Sequence, residues 1–355
     1  MLHTGSGYFG RHGAPQVILR LLDKGYMAVS LFFVLSGFIL AYTYEGKLRH
    51  PGGALGFWEA RFARIYPVYV FSLALMVPFA RDVTLGQKFT VLAMVQTWMP
   101  WRPDLIGAWN FPAWSLSVEA FFYLLFPPIF VSLCRMKVTG LRRLAWLLMA
   151  LIAIGNLAQP IERWSLSPLL FVRYIPVPVL RLPEFVLGMA VGLIFLRAPK
   201  LRYGGLLSLG AAMAALVFLS LSVERWTSLV IVPFALLIAS LACQTGLLAR
   251  LLSTRILVLL GSASYAVYLL QLPVRIYSRL LVAKLPLAPV DLDAFLSPCL
   301  LLLLSVLIFL LWEEPARKFL RKALGLWPRW KWPYFPLSDS LADAPVIKSS
   351  KERLL

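Results

Sequence analysis

Nine stretches of this chain are apolar over lengths close to the roughly 20 residues that cross about 30 Å of hydrocarbon. They lie at roughly 26–44, 65–80, 115–134, 143–158, 182–196, 205–222, 228–243, 260–283 and 294–312. Each is expected to be a helix, because a backbone surrounded by lipid must satisfy its hydrogen bonds within its own segment. A further apolar piece at about 88–99 is too short to cross and is expected to be interfacial or re-entrant. Of the 355 residues, 60% are hydrophobic and only 14% charged, and the mean hydropathy is +0.78. Such a composition excludes a soluble domain built around one core. The expected fold class is all-α, a polytopic integral membrane helical bundle of about nine to ten transmembrane helices.

The net charge of +19 would suit nucleic acid, but its distribution does not. Basic residues gather at alternate ends of the spans, as they do in inner-membrane proteins that follow the positive-inside rule. The cytoplasmic groups by this test are Lys47, Arg49, Arg61 and Arg64; Arg135, Lys137, Arg142 and Arg143; Arg197, Lys200 and Arg202; Arg250 and Arg255; and the tail from Arg317 onward. The opposite loops carry fewer, so a multi-pass protein with a cytoplasmic C-terminus is expected, with the lipid bilayer as a partner and nucleic acid not. Nine spans that end inside would start residues 1–25 outside without a signal peptide. A further helix upstream is therefore expected, making residues 1–320 a membrane domain that lacks an intact first helix. Residues 321–355 are expected to begin as a basic, Trp-rich interfacial stretch, Trp327-Pro328-Arg329-Trp330-Lys331-Trp332, and to become disordered after about Asp339.

Cys134, Cys243 and Cys299 fall within or at the ends of apolar spans at no metal-ligand spacing. They behave as small hydrophobes, and neither disulfides nor a metal site is expected. There is no Gly-rich phosphate loop and no His-Glu-x-x-His helix, which argues against an ATP-driven pump or an intramembrane metalloprotease.

Polar residues inside the spans carry the functional signal. Glu119 sits in Trp114-Ser115-Leu116-Ser117-Val118-Glu119-Ala120-Phe121-Phe122-Tyr123, where a carboxylate is costly unless it has a role. Ser115 and Tyr123 lie four residues to either side and share its helical face; the alternative is a helix-end acid in the headgroup region. Ser264, Tyr268, Gln271 and Arg275 recur at the i, i+4, i+7, i+11 spacing that lines one face, either as a site or as hydrogen-bonding glue between helices. Arg181 and Glu184 stand one turn apart at the start of the 182–196 span, with Pro183 in the first turn. They either pair with each other or sit at the mouth of a cavity and orient a hydroxylated substrate. Arg61 and Arg64, just before Ile65-Tyr66-Pro67, present two guanidinium groups at i, i+3, which suits phosphate oxygens and equally an ordinary membrane anchor. In Leu31-Phe32-Phe33-Val34-Leu35-Ser36-Gly37-Phe38 the Ser36-Gly37 pair lets another helix backbone approach closely.

Taken in order, these blocks resemble the type 3 acyltransferase family, bacterial membrane enzymes that O-acylate surface polysaccharides and related glycans. The match is carried by Phe32-Phe33-Val34-Leu35-Ser36-Gly37-Phe38, Arg61-Phe62-Ala63-Arg64-Ile65-Tyr66-Pro67, Trp114-Ser115-Leu116-Ser117-Val118-Glu119 and Ser264-Tyr265-Ala266-Val267-Tyr268-Leu269, with Glu314-Pro315 closing the domain. Arg181-Leu182-Pro183-Glu184-Phe185 with Gly188 also fits the pattern.

The resemblance implies transfer of an acyl group, usually acetyl, from cytoplasmic acyl-CoA to a hydroxyl of a carbohydrate acceptor such as an exopolysaccharide or O-antigen unit. No permanently bound cofactor is implied. The family places a catalytic histidine a few tens of residues before the Phe-Phe-x-Leu-Ser-Gly block, a distance that His3 meets; His12 and His50 are weaker matches. His3 would take the acceptor proton, with Glu119 fixing its tautomer or binding the acceptor. Arg61 and Arg64 would hold the CoA phosphates. Ser36, Ser115, Arg181, Glu184, Tyr265, Tyr268 and Gln271 would bind or orient substrate, some as oxyanion donors. Many relatives carry histidine where this chain has Gln271, and glutamine can hydrogen bond without taking a proton near neutral pH. Direct transfer and a covalent acyl-histidine both fit these residues. A non-catalytic family member that scaffolds or senses glycan assembly, or a glycan transporter, are the alternatives, and no oligomeric state is favoured.

Overall fold

The computed structural model describes residue 13 and residues 15–48, 52–157, 175–198, 203–220, 228–243, 246–284 and 292–323. The helices are α1 (Gln16–Asp23), α2 (Ala28–Tyr44), α3 (Gly53–Leu75), α4 (Leu85–Leu92), α5 (Trp114–Cys134), α6 (Val138–Leu157), α7 (Val177–Arg197), α8 (Gly204–Ser220), α9 (Ile231–Leu241), α10 (Leu247–Leu252), α11 (Arg255–Val282), α12 (Leu292–Ile308) and α13 (Glu314–Ala323). No strand occurs among the described residues. A short 3₁₀ turn joins α1 to α2, and a π turn, Phe309–Glu313, joins α12 to α13.

Among the described residues, five helical segments are long and apolar enough to cross a membrane: Gln16–Tyr44, Phe111–Cys134, Val177–Arg197, Arg255–Val282 and Leu292–Ala323. They take up five of the nine expected windows, and α8 and α9 take up two more as shorter apolar helices. The windows at 65–80 and 143–158 fall on α3 and α6. Helix α3 starts twelve residues before its expected window because Glu59, Arg61 and Arg64 interrupt the apolar run without interrupting the helix. Helix α7 likewise begins at Val177, with Pro178 in its first turn, so Pro183 lies inside the helix and not at its start. The final helix continues past residue 320 to Ala323. Outward-facing side chains such as Trp146, Leu151, Ile154, Met213, Leu303 and Leu311 are large, apolar and exposed, as the lipid-facing surface of a membrane bundle requires.

The tightest packing is between α2 and α7. A Cβ on Gly188 would overlap the Val34 carbonyl oxygen, and one on Gly37 would overlap the Phe185 carbonyl. A Cβ on Gly192, one turn on, would lie 3.0 Å from the Ala41 Cβ. Small residues at such spacing let helix backbones touch, which matters in lipid, where apolar surface alone drives little association. Around this crossing Phe33, Phe122 and Phe185 interlock, with Phe33–Phe122 centroids at 5.1 Å and Phe122–Phe185 at 4.9 Å.

The piece expected to be interfacial or re-entrant forms α4, closed at its start by a Thr84–Gln87 capping box, and then irregular backbone. That backbone is covered by protein. Thr97 N–H donates to Ser117 Oγ at 3.2 Å, the Tyr66 hydroxyl to the Leu92 carbonyl at 3.4 Å, and Met94 and Val95 N–H turn back to the Val91 and Thr90 carbonyls at 2.9 and 3.0 Å. Non-helical chain is tolerated at membrane depth only with such partners.

The crossing leaves no room for a side chain at Gly188. Gly188→Ala is expected to lose roughly 1–3 kcal/mol through forced separation of α2 and α7, seen as a lower unfolding midpoint of detergent-purified protein, and Gly188→Leu to prevent accumulation in the membrane.

Candidate active site

Glu119 lies near the start of α5, buried to 3% exposure. Its Oε1 accepts a hydrogen bond from Ser36 Oγ of α2 at 3.3 Å and a short one from the Tyr123 hydroxyl one turn along α5. The i, i+4 spacing on one face produces the Tyr123 contact, and the α2–α7 crossing next to Ser36 holds the other donor in place. Arg61 of α3 approaches the same group. Its guanidinium carbon stands 5.9 Å from the Tyr123 ring centroid and 6.0 Å from that of Phe57, within electrostatic reach of Glu119, Tyr123 and Tyr44.

Helix α11 contributes the far wall. Ser115 donates to the Tyr268 hydroxyl at 2.8 Å, and Tyr265 donates to the Ile65 carbonyl at 2.8 Å; both tyrosines lie within electrostatic reach of Glu119. The expected α11 stripe is corrected at one end: Ser264 faces outward and bonds back to the Gly261 carbonyl of its own helix. Tyr265, one residue on, takes the inward direction. Gln271 is half-buried about one turn beyond Tyr268.

Prolines decide how these helices are tied together. Pro127 has no N–H to offer the Tyr123 carbonyl, and the Trp58 indole of α3 donates to it at 2.9 Å. Pro273 leaves the Leu269 carbonyl without its helical partner in the same way. The fully buried Asn110 donates to that carbonyl at 3.2 Å and to Ser72 Oγ at 3.2 Å. Each freed carbonyl is thus satisfied by a side chain from another part of the bundle.

The two arginines of α3 do not form an outward-facing pair. Arg64 Nη1 stands 2.9 Å from Glu313 Oε1 at the π turn, while Arg61 turns toward Tyr123. Arg181 and Glu184 do pair, at 2.8 Å, and Arg181 also donates to Ser30 Oγ at 3.0 Å and covers the Phe33 ring at 5.5 Å. They line a small cleft of about 10 Å³ with Met27, Ser30, Ile152, Val230 and Ile231. That space holds about one water, and the buried Glu184 Oε2 has no hydrogen-bond partner. His3, His12 and His50, and the Trp-rich tail, lie outside the described residues.

The bundle therefore draws four separate sequence blocks onto one buried carboxylate. Residues 1–312 match the family described as acyltransferase domain. This chain belongs to the type 3 acyltransferase family. It is 33% identical over 301 residues to acyltransferase MdmB of Streptomyces mycarofaciens, which covers 77% of this chain and 74% of that protein. A stretch of 67 residues, 19% of this chain and 35% of the relative, is 52% identical to "Protein 2 in picA locus" of Rhizobium radiobacter. No solved structure matches the chain.

The protein is thus a membrane acyltransferase, and such an enzyme must meet the charge that develops on a carbonyl oxygen and steer a proton. The cluster supplies hydroxyl donors (Ser36, Tyr123, Tyr268, Ser115), one carboxylate and one guanidinium within a largely buried volume. Sequence reasoning passed over Glu313, Trp58 and Asn110. Glu313 was legible only as one of two adjacent acids before Pro315, and Trp58 and Asn110 act through carbonyls that no residue pattern displays.

Asn110 fixes α11, and with it Tyr268, against the start of α5. Asn110→Leu is expected to lose about 1–3 kcal/mol, because it strands a buried carbonyl, measured by thermal or denaturant unfolding in detergent.

Proposed function

We propose that this acyltransferase moves an acyl group, acetyl in the first instance, from acyl-CoA to a carbohydrate hydroxyl within the bacterial inner membrane, its C-terminus facing the cytoplasm. The observation that carries this reading is the convergence of Ser36, Tyr123 and Arg61 on buried Glu119. A carboxylate so placed is poorly suited to a passive structural role and well suited to orienting a proton carrier.

In this reading His3 removes the acceptor hydroxyl proton. The alkoxide oxygen attacks the thioester carbonyl, a C–O bond forms, the C–S bond breaks, and the proton passes to the departing CoA thiolate. Glu119 Oε1 is taken by two hydroxyls, which leaves its other oxygen to fix the imidazole tautomer or to bind the acceptor. Tyr268, whose hydroxyl shares a hydrogen bond with Ser115 at 2.8 Å, is the candidate oxyanion donor on α11. Tyr265 spends its proton on the Ile65 carbonyl and is the weaker donor candidate. Arg61 and Arg64 carry the positive charge for the donor's phosphates from the side that the basic residues mark as cytoplasmic.

Two outcomes test the proposal. Glu119→Gln keeps the shape and removes the charge; it is expected to cut acylation by about 10²-fold or more, with protein abundance in the membrane unchanged. The measurement is the O-acetyl content of surface glycan, by NMR, in a deletion strain complemented with each form, and full O-acetylation by the variant would take Glu119 out of the mechanism. Arg61→Ala and Arg64→Ala are each expected to weaken acyl-CoA binding by roughly 1.5–3 kcal/mol, the range of a lost charge-assisted contact. Unchanged affinity in both would return the pair to a membrane anchor.

A further inference from the structure

The last helix brings a second group of charges against α3. At the π turn Phe309–Glu313 the helical repeat is interrupted, a feature that concentrates at functional sites. The turn is fastened to α3 by Trp312, whose indole donates to the Pro67 carbonyl at 3.2 Å. Glu313, fully buried, stands 2.9 Å from Arg64. From Glu313 the i+4 and i+8 residues are Arg317 and Arg321, which share its face, and α13 packs on α3. Arg321 is buried to 7% exposure. Arg317 lies within electrostatic reach of Arg64 and Glu313, and Arg321 within reach of Tyr44, beside which Arg61 also stands.

Guanidinium groups from two packed helices are thus gathered in a confined space, with Glu313 as the carboxylate buried among them. Glu314 also takes part, held by Arg317 and, at 3.5 Å, by Lys318. The Arg64–Glu313 contact is an ion pair by distance, yet neither Glu313 oxygen accepts a well-directed hydrogen bond. A carboxylate held by charge alone yields readily to an anion that engages the guanidinium forks with two oxygens at once, as phosphate does.

We propose that Arg64, Arg317 and Arg321, with Arg61 behind them, form the receptor for the phosphate-rich nucleotide end of the acyl donor, and that Glu313 is the resident counter-anion which the donor's phosphates displace. This rests on the acyl-CoA reading above and adds to it two binding residues from the last helix and a built-in competitor. The site fits a nucleotide bearing several phosphates, because the guanidinium groups are spread over two helices, Arg61 and Arg64 on α3 and Arg317 and Arg321 on α13.

The test is calorimetric titration of the full-length protein in nanodiscs with CoA, and with dephospho-CoA as the probe that lacks one phosphate. Arg317→Gln and Arg321→Gln are each expected to weaken CoA binding by about ten-fold or more, with dephospho-CoA affected less. Glu313→Gln is expected to tighten CoA binding several-fold by removing the competitor. Arg64→Ala is the control on the underlying reading. If it weakens CoA while folded Arg317→Gln and Arg321→Gln leave affinity unchanged, the receptor falls and the donor reading stands; if Arg64→Ala also changes nothing, the donor reading itself falls. Weaker binding by Glu313→Gln overturns its role as competitor. Should Arg321→Gln fail to accumulate, Arg321→Lys keeps the charge without the fork and is expected to weaken CoA binding, an unchanged affinity there counting against the receptor.

Discussion

Where α2 meets α7, the backbones touch at Gly37 and Gly188 with no room for a Cβ on either. Within a bilayer the lipid tails are as apolar as leucine, so helix association depends on close packing and hydrogen bonds more than on removal of apolar surface from water. This contact fixes the depth and rotation of α2, and α2 carries the residues that both polar clusters need. Ser36, next to the crossing, meets Glu119, and Ser30, less than two turns earlier, meets Arg181. Phe33, between them in sequence, packs against Phe122 of α5 and lies under Arg181. Sliding α2 by a single residue would turn Ser36 away from Glu119 by about 100°.

The remaining cohesion comes from debts of the backbone that prolines create and side chains settle. Pro127 and Pro273 each free a carbonyl in a helix that forms the site, and Trp58 and Asn110 answer them from outside that helix. These bonds are stronger links than an ordinary interhelical hydrogen bond, because an unmet carbonyl at that depth has no water to turn to. They join α3 to α5, and the start of α5 to α11, at the levels where Tyr123 and Tyr268 project.

Much of this was legible in the chain. The apolar windows foretold an all-helical membrane protein, and the ordered blocks foretold the family and brought Ser36, Ser115, Glu119, Tyr265 and Tyr268 forward as one set. Window edges failed where charge sits inside a helix: hydropathy penalises Arg61 wherever it stands, whereas a bundle interior accepts it beside Tyr123 and Glu119. The α11 stripe failed at Ser264 because a 3.6-residue repeat tolerates a neighbouring register, and Tyr265 fills the inward direction with a larger ring. Partner choice was the least legible layer. Nothing in Arg61-Phe62-Ala63-Arg64 says that one guanidinium turns to α5 and the other to the end of α12, since both partners are remote in sequence.

That division of labour on α3 has a mechanical consequence. Residues three apart on a helix point about 60° apart around its axis, so Arg61 and Arg64 face two different walls of the bundle, one holding Glu119 and the other Glu313. The helix is therefore held between two buried acids by two adjacent charges. A rotation of α3 would move both guanidinium groups at once, Arg64 against Glu313 at 2.9 Å and Arg61 against the Tyr123 ring at 5.9 Å. Pro67, one turn beyond Arg64 and inside α3, removes one backbone hydrogen bond just where that rotation would be taken up. An anion that draws Arg64 away from Glu313 therefore acts on the helix that also positions Arg61 beside Tyr123, about 60° around the same axis.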